Sequence, residues 1–563
     1  MDNLRLILLF SLGFTLLLIY QAWMKDYGPQ TAPAAAVSTQ TAGSSAGREQ
    51  QPGASAPERI PPAAVPADST ATIQAAPVTQ SPAAGHVEVE TDVVKAEISL
   101  KGGTLSGLWL LAYPVSLEHP ERKIRLFKGT EPNLYLAQSG VVGPPKAPSP
   151  THEALFHAAS TRYRLGKGQD DLVVELKWKD GHGLRVSKRF HFHRARYVVE
   201  LEQVVENHSQ APWTARAYYQ LQRSEPHKQK GVKDFFQSRT FTGAAYYTEE
   251  KKFEKLPFTE FKEKTLDLEA KGGWIAMVQH YFMSAWIPPA DEVFHFYNQT
   301  VPGPRFQVGV YSTSREIAPG SEVRFRSTLY AGPELQDELA KIAPGLELTV
   351  DYGWFTVLAQ PIFWLLKEIH KLVGNWGWSI ILLTILIKAA FYKLSETSYK
   401  SMANMRKLTP RMQALKDRYG DDKQRLNQAM MEMYKKEKIN PLGGCLPIVV
   451  QVPVFIALYW VLMESVELRQ APFILWIDNL SAQDPYYVLP LIMGVSMFIQ
   501  QKLNPAPPDP LQAKLMMALP FVFTVFFAFF PSGLVLYWVV NNLLSIAQQW
   551  YITRKIEGAS KHA

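Results

Sequence analysis

Residues 377–392 restrict most strongly what this chain can fold into. They form an apolar run that is typical of a membrane-spanning helix, yet Lys388 lies well inside the run. A charge at the centre of a bilayer costs about 2.5–3.5 kcal/mol on insertion scales, so such a residue usually faces a protein interior or a wet cavity. The alternative is that Lys388 snorkels towards Tyr392, at the expected cytoplasmic end of the helix.

The positive charge of the chain is distributed as it is in a membrane protein. The 563 residues carry a net charge of +8 and give a pI of about 9.1. The clearest excess of Lys and Arg flanks apolar stretches, as the positive-inside rule predicts, and the aromatic motifs of RNA-binding modules are missing. We therefore expect no specific nucleic-acid binding. The single cysteine, Cys445, excludes an intrachain disulfide and is expected to be a small buried residue.

The N-terminal segment predicts an anchor followed by a tether. Residues 6–20 are apolar, but the bulky and charged residues 21–26 follow where a cleavable signal peptide needs small ones. We predict an uncleaved membrane anchor at 1–24 with a cytoplasmic N-terminus, while the alanines at 34–36 leave cleavage open. Residues 25–85 are rich in Ala, Pro, Ser, Thr, Gln and Gly. Such a composition buries too little apolar area to fold, which predicts a disordered periplasmic tether.

Residues 86–340 predict a large periplasmic all-β sandwich. Two strand-like runs flank the turn sequence Asp-Gly-His-Gly at 180–183, which is typical of a β-hairpin. Further strand-like runs without intervening helices argue for antiparallel sheets. The runs lie at 172–178, 184–190, 197–205, 305–311 and 322–330.

This predicted β-domain offers one weak candidate for chemistry. His191 and His193 alternate onto one strand face, and Glu175 and Glu200 lie on neighbouring strands. Two histidines at this spacing could bind a metal, but no third ligand is spaced to complete the site. We expect ordinary solvent-facing residues here, no metal, no cofactor and no enzymatic activity.

The C-terminal part predicts a helical membrane core. An amphipathic helix is expected to lie in the membrane interface, and five transmembrane helices follow from the apolar runs, two of them short for a straight span. With the anchor this makes six spans, and both termini, the loop at 394–440 and the tail at 553–563 then fall in the cytoplasm, in agreement with the positive-inside rule. The interfacial helix is predicted at 353–374 and the transmembrane helices at 376–393, 445–466, 485–502, 514–530 and 533–552.

The cytoplasmic loop at 394–440 predicts a helical hairpin. Apolar residues step by three and four along a first arm, Gly420 ends that arm, and Asp421 and Asp422 begin a second. The methionines on this seam indicate either core packing or an adaptable surface that accepts varied apolar segments. The seam residues are Met402, Met405, Leu408, Met412, Leu415 and Tyr419 on the first arm, and Leu426, Met430 and Met433 on the second.

Polar residues recur inside several of the predicted spans. The alternatives are one shared hydrated cavity, or amides and hydroxyls that hold helices together. Hydrogen bonding between helices does not account for a lysine without an acid to pair with in any span, since Glu464 lies at the opposite, outer end of its helix. We therefore predict a cavity that opens to the cytoplasm. The polar residues are Thr384, Lys388, Gln451, Asn541, Asn542, Ser545 and Gln549.

Four segments resemble the YidC/Oxa family of membrane protein insertases, and the resemblance extends over the whole chain. They are Asn-Pro-Leu-Gly-Gly-Cys-Leu-Pro at 440–447 and the segments 465–473, 480–487 and 529–537. The resemblance implies a bacterial inner-membrane protein with a hydrophilic groove that is open to the cytoplasm and to lipid. It also implies nascent membrane proteins as substrates, first contacted by the hairpin, and the Sec translocon and ribosome as partners.

Within the family the groove carries a basic residue on the second membrane helix, usually arginine, and Lys388 stands at that position here. Lysine keeps the charge but loses the planar fork that holds a carboxylate through two hydrogen bonds. Positions that resemble other groove-lining sites are Thr384, Gln451, Tyr537 and Ser545. Together with Lys388 and Asn541 these residues form the substrate groove that we predict.

No ATP-binding motif is evident, so we expect the energy for insertion to come from elsewhere. The mechanism that we predict is insertion without covalent chemistry. A polar tail enters the groove, and the adjoining apolar segment then partitions into lipid. The main alternative is a secondary transporter of a small solute, although the two repeated halves common in transporters are missing. A membrane-anchored glycan-processing enzyme is a further alternative, for which no acidic catalytic pair can be placed.

Overall fold

The computed structural model describes residues 85–145, 147–225, 240–303, 305–420, 422–437, 446–504 and 510–559. The predicted anchor at 1–24, nearly all of the predicted tether, Cys445 and the last residues of the predicted tail lie outside this range.

Strands account for most of the N-terminal half of the described residues. In chain order they are β1 His86–Glu90, β2 Val94–Ser99, β3 Thr104–Pro114, β4 Lys123–Lys128, β5 Tyr135–Val142, β6 His157–Ala158, β7 Arg162–Arg164, β8 Asp171–Lys179, β9 Leu184–His193, β10 Val198–Asn207, β11 Trp213–Ser224, β12 Gly243–Thr248, β13 Lys252–Pro257, β14 Asp267–Lys271, β15 Trp274–Gln279, β16 Phe282–Ile287, β17 Val293–Val301, β18 Arg305–Ser312, β19 Arg315–Ile317 and β20 Glu322–Pro333.

The strands form two sheets that pack face to face. One sheet has the order β14-β17-β18-β11-β5-β4-β3-β2-β1-β7, with β19 paired to β11, and the other has the order β13-β12-β15-β16-β20-β10-β9-β8-β6. Buried side chains of both sheets, such as Leu105 and Tyr219 from the first and Phe190 and Trp286 from the second, share one hydrophobic core. This arrangement confirms the predicted β-sandwich.

The hairpin between β8 and β9 shows how the local sequence sets the pairing of two neighbouring strands. Asp180 Oδ1 accepts hydrogen bonds from the backbone nitrogens of His182 at 2.7 Å and Leu184 at 2.9 Å. Gly181 and Gly183 have φ angles of 83° and 111°, which favour glycine. The turn therefore needs both its acid and its glycines, and the predicted hairpin is confirmed.

Helices make up most of the C-terminal half. In chain order they are α1 Gln336–Ile342, α2 Thr356–Val373, α3 Trp376–Ala390, α4 Tyr392–Lys407, α5 Thr409–Tyr419, α6 Lys423–Lys436, α7 Leu446–Glu464, α8 Val488–Leu503, α9 Pro510–Phe527 and α10 Ser532–Ala559. Among the described residues, none of these helices taken singly has both the length and the apolar character needed to cross a membrane, whereas α3 and α4, which meet at a bend of 67°, meet that test as a pair. The predicted number of spans stays a prediction.

Helix α2 is amphipathic, as its sequence predicts. Ala359, Phe363 and Leu366 are buried at spacings of three and four, while Val357 and Trp364 on other faces are 81% and 59% exposed. Gly374 ends the helix with a φ of 71°, and the Asn375 side chain then accepts hydrogen bonds from the first backbone nitrogens of α3. These two residues turn the chain from α2 into α3.

The helical hairpin differs from its prediction in the first arm. That arm is broken at Leu408, because Pro410, in the first turn of α5, has no backbone N–H to continue the hydrogen bonding of α4. The prediction of a single seam that runs from Met402 to Tyr419 is therefore wrong. Met402 and Met405 lie half-buried on α4, outside the hairpin core, which is a cluster of Leu408, Met412, Met430 and Tyr434 with Leu415, Leu426 and Met433 packed around it.

The β-sandwich contacts the helical part at the end of α7. Arg469 donates a hydrogen bond of 2.8 Å to the Pro114 carbonyl at the end of β3. The imidazole Nε2 of His280 lies 2.7 Å from the carbonyl oxygen of Met463, and its burial lowers the pKa of His280 to about 4. A neutral His280 therefore donates to this carbonyl, and the two parts of the chain meet through specific polar contacts.

Candidate functional site

Side chains from three helices form one polar cluster inside the helical core. Lys388 Nζ on α3 donates a hydrogen bond of 2.7 Å to Ser545 Oγ on α10. Gln451 Nε2 on α7 donates to Asn541 Oδ1 on α10 and lies 3.5 Å from Tyr537 Oη. Five of the six groove residues predicted from the sequence thus lie together. We call these five residues the polar cluster.

The α10 members of the polar cluster lie on one face because they are spaced by four. Tyr537, Asn541 and Ser545 are each about one turn apart, and all three are buried. Ser545 Oγ donates its proton to the Asn541 carbonyl at 2.8 Å. The lone pairs of the serine oxygen are therefore free to accept from Lys388, which orients the ammonium group towards α10.

A cleft adjoins the polar cluster between α3, the start of α4, and α7. Lys388 and Gln451 are two of its lining residues, and most of its other walls are apolar, including Ile387, Phe391 and Val450. A cation and an amide in an apolar wall can attract and hydrogen-bond a polar segment of another chain. Lys388 donates to Ser545 and the serine proton goes to the Asn541 carbonyl, so the lysine does not act as a base towards this serine.

The charge of Lys388 is not balanced by an acid in the part of the chain that the structure describes: the ion pairs found there all involve other residues. Glu464, the nearest candidate in the sequence, ends α7 thirteen residues after Gln451, which corresponds to about 20 Å along a helix. The hydrogen bond that the structure gives to this ammonium group therefore goes to a neutral hydroxyl, that of Ser545, and leaves its charge uncompensated.

Thr384 occupies a different environment from the polar cluster. It lies one turn before Lys388 on α3, as predicted, but it is buried and donates its hydroxyl proton to the Ile380 carbonyl of its own helix at 2.6 Å. The hydroxyl proton of Thr384 therefore has its hydrogen-bond acceptor within α3. A role for Thr384 in binding stays a prediction.

Two further polar residues of α10 form hydrogen bonds between helices. The prediction of one cavity shared by all the polar residues of the spans is therefore wrong. Asn542 donates to Ser496 Oγ on α8 at 3.1 Å. Gln549 donates to the Leu503 carbonyl and to Asn504 Oδ1, both at 3.2 Å. At about 100° per residue, Gln549 is rotated by roughly 120° from Tyr537, although each step of four looks like one face.

Sequence reasoning missed Tyr399 as a neighbour of the polar cluster. This residue is buried on α4, and its side chain is within hydrogen-bond reach of Ser545. The prediction of a cytoplasmic hairpin from residue 394 onward placed it away from the membrane core. The structure instead packs α4 against α10, and a tyrosine within a polar stretch was the only sequence signal.

The candidate chemistry in the β-domain is not supported. The His193 imidazole is in hydrogen-bond contact with Asp171 and lies 3.4 Å from Glu200, while Glu175 pairs with Arg189 at 3.0 Å. Among the described residues, no group of three His, Cys, Asp or Glu side chains is arranged to hold a metal ion. These residues form ordinary cross-strand pairs.

Comparison with known proteins identifies the family. Residues 86–365 match the family model described as the YidC periplasmic domain, and residues 368–560 match the model described as 60Kd inner membrane protein. The chain is similar to the membrane protein insertase YidC of Methylococcus capsulatus, at 51% identity over 99% of both chains. It is also similar to the membrane protein insertase YidC of Thioalkalivibrio sulfidiphilus, at 51% identity over 100% of both chains. A solved structure of an active YidC insertase with its first transmembrane domain resolved is 18% identical, covers 84% of this chain and 93% of its own, and gives a TM-score of 0.38. The chain therefore belongs to the YidC family of membrane protein insertases.

Proposed function

We propose that the polar cluster is the substrate-binding part of this insertase and that it acts by lowering the cost of bringing a polar segment into the membrane. The observation that carries the proposal is the hydrogen bond from Lys388 to Ser545 inside an otherwise apolar bundle, next to a cleft that Gln451 also lines. The cleft has a volume of about 20 Å³, so a polar tail first meets the ammonium group and the amide at its mouth and exchanges water for them there. The tail therefore avoids part of the desolvation cost of entering hydrocarbon.

The apolar segment of the substrate supplies the driving force. Once the tail is held in the cleft, the adjoining segment moves sideways into lipid and gains hydrophobic free energy. A membrane potential that is positive outside favours the transfer of acidic tails, by about 2.3 kcal/mol per charge for each 100 mV. The protein thus works as a binding surface and a chaperone, without covalent catalysis.

The membrane arrangement that fits this mechanism is the one predicted from the sequence. The family match makes the chain an inner-membrane protein with a periplasmic domain. We place the spans at 1–24, 376–393, 445–466, 485–502, 514–530 and 533–552, and both termini in the cytoplasm. The exposed apolar side chains of α2, such as Trp364, suit a helix that lies in the outer interface.

Substrate recruitment is assigned to the hairpin at 394–440. Met412 and Met430 pack in its core, while Met402 and Met405 lie half-buried on α4, nearer the polar cluster. Soft methionine side chains adapt to varied apolar partners. Nascent membrane proteins are the substrates in this proposal, and the ribosome and the Sec translocon deliver them on the cytoplasmic and lateral sides.

The test is a set of Lys388 variants in a strain depleted of the native protein. Lys388→Arg should preserve insertion of an acidic-tailed substrate, because the charge is kept. Lys388→Ala should reduce insertion by about fivefold, the factor that corresponds to about 1 kcal/mol, and Lys388→Glu by more. Lys393→Ala is the matched control, since Lys393 is 92% exposed and lies outside the cleft. Full activity of Lys388→Glu would remove the charge from the mechanism.

A further inference from the structure

A second cavity lies between the ends of α4, α8 and α10, apart from the cleft at Lys388. It has a volume of about 340 Å³ and is lined by Arg406, Leu503, Gln549, Trp550, Thr553 and Arg554. We call it the basic cavity. No residue of the polar cluster lines it, so the mechanism proposed above makes no use of it.

The basic cavity is built to hold an anion. Among the described side chains, its lining has two guanidinium groups, from Arg406 and Arg554, and no carboxylate. Neither arginine forms an ion pair with an acidic side chain among the described residues. Arg554 lies over the Trp550 ring at 5.2 Å, which restricts where its guanidinium can go. Arginine forks match the geometry of phosphate oxygens, so a phosphate group is the anion that fits.

The surroundings of the basic cavity favour a lipid over a soluble phosphate. Trp550 and Tyr551 are 55% and 56% exposed, and Leu543, about two turns earlier on α10, is 52% exposed. Exposed Trp and Tyr next to basic residues are typical of the headgroup level of a membrane, with exposed apolar residues at the depth of the acyl chains. A lipid can occupy both the cavity and this apolar surface, whereas a free phosphate can use only the arginines.

Gln549 narrows the class of headgroup. Its amide nitrogen faces the Leu503 carbonyl, which can only accept, so the orientation of the amide is fixed. Its Oε1 is buried and has no hydrogen-bond partner among the described residues. A ligand that donates a proton would satisfy this oxygen. A phosphodiester that carries a hydroxyl group supplies both the anion and the donor.

The geometry points to a binding site for an anionic phospholipid with a hydroxyl-bearing headgroup, of the phosphatidylglycerol type, at the cytoplasmic end of α10. The phosphate lies between Arg406 and Arg554, a headgroup hydroxyl donates to Gln549 Oε1, and the acyl chains run along the exposed face of α10 past Leu543. A lipid held there joins α4 to α10.

Native mass spectrometry of the full chain in detergent tests the site. The protein is titrated with phosphatidylglycerol, phosphatidylcholine or inorganic phosphate, and the retained adducts are measured for the wild type, for the double variant Arg406→Gln/Arg554→Gln and for the control Arg418→Gln, an exposed arginine at the end of α5. The double variant should retain phosphatidylglycerol about twenty-five-fold less well, at about fivefold for each arginine. The control should retain it, and phosphatidylcholine should bind weakly to all three.

Three outcomes would overturn the proposal: equal retention of phosphatidylglycerol by the wild type and the double variant, an equal loss in the control, or displacement of the lipid by millimolar phosphate or by a short RNA. A comparison that needs no variant keeps the test decisive if the double variant does not fold. The wild type should retain phosphatidylglycerol better than phosphatidylmethanol, which has the same charge and no headgroup hydroxyl. Equal retention of these two lipids would overturn the role of Gln549.

Discussion

Lys388 Nζ and Ser545 Oγ are 2.7 Å apart, so a charged donor on α3 is held by a neutral acceptor on α10. The serine hydroxyl gives its own proton to the Asn541 carbonyl, and the chain of donors therefore runs in one direction, from the ammonium group to the backbone of α10. Since a serine oxygen does not neutralise the charge, the ammonium group keeps its attraction for an incoming carboxylate.

Ser545→Ala should weaken this arrangement without removing the charge. Loss of a hydrogen bond to a charged group is worth about 1.5–3 kcal/mol, and the freed ammonium group can turn towards the cleft and recover part of that. We expect a lower thermal stability of the purified protein and a loss of insertion smaller than that of Lys388→Ala. Thermal unfolding and an insertion assay on the same preparations check this. If Ser545→Ala and Lys388→Ala lost the same insertion activity, the geometry rather than the charge would be the essential element.

Gln451→Leu and Asn542→Leu should separate substrate binding from helix packing. Gln451 lines the cleft and bonds to Asn541, whereas Asn542 bonds to Ser496 on α8. We expect Gln451→Leu to lower insertion of a polar-tailed substrate, and Asn542→Leu to act mainly by lowering stability, by about 1 kcal/mol for one hydrogen bond. Photocrosslinking to a stalled nascent chain, from position 451 and from position 542, gives the direct measurement. Equal crosslinking from both positions would contradict the assignment.

The sequence predicted those features that depend on residues close together in the chain. The turn at Asp180 and the four-residue spacing of Asn541 and Ser545 are local, and the structure has them as expected. The prediction that Gln549 shares a face with Asn541 is wrong, because two steps of four residues accumulate a rotation of about 80° on an α-helix.

Contacts between distant segments could not be predicted in this way. Arg469 bonds to Pro114, 355 residues away, and no periodic pattern links the two. The packing of α4 against α10, which brings Tyr399 to Ser545, depends on the bend at Phe391 between α3 and α4. The charged and polar sequence of α4 predicts a helix exposed to solvent. Its packing against α10 is set only by the tertiary fold.

Gly494→Ala should destabilise the packing of α8 against α9. A Cβ atom at this glycine would lie 2.0 Å from Thr524 Oγ1. Either Thr524 must rotate and lose its hydrogen bond to the Pro520 carbonyl, or the two helices must move apart. Overpacking of this kind costs typically about 1–3 kcal/mol. The double variant Gly494→Ala/Thr524→Ala removes the clashing oxygen and should recover part of the loss. Denaturant or thermal unfolding of the three proteins measures it, and an unaltered stability of Gly494→Ala would show that α8 and α9 can separate at little cost.

Glu467 should make the junction between the β-sandwich and α7 sensitive to pH. Burial of its carboxyl group, with a contribution from Asp337, raises the pKa of Glu467 from 4.5 to about 7, although Lys367 acts in the opposite direction. The folded protein then holds a proton that the unfolded chain releases above pH 4.5. The stabilising proton is fully present below pH 4.5 and is lost as the pH rises through about 7, so the unfolding free energy falls over this window.

Glu467→Gln imitates the protonated carboxyl group and should remove this dependence. The variant should match the wild type near pH 4.5 and exceed it at pH 8 by up to about 3 kcal/mol, the equivalent of the pKa shift. Burial lowers the pKa of His280 to about 4, which makes the protein less stable as the pH falls below 6.5, but both proteins share this effect and the difference between them cancels it. Unfolding free energies of wild type and variant at pH 5 and pH 8 give the test. A constant difference across these pH values would mean that Glu467 is already ionised in the folded protein.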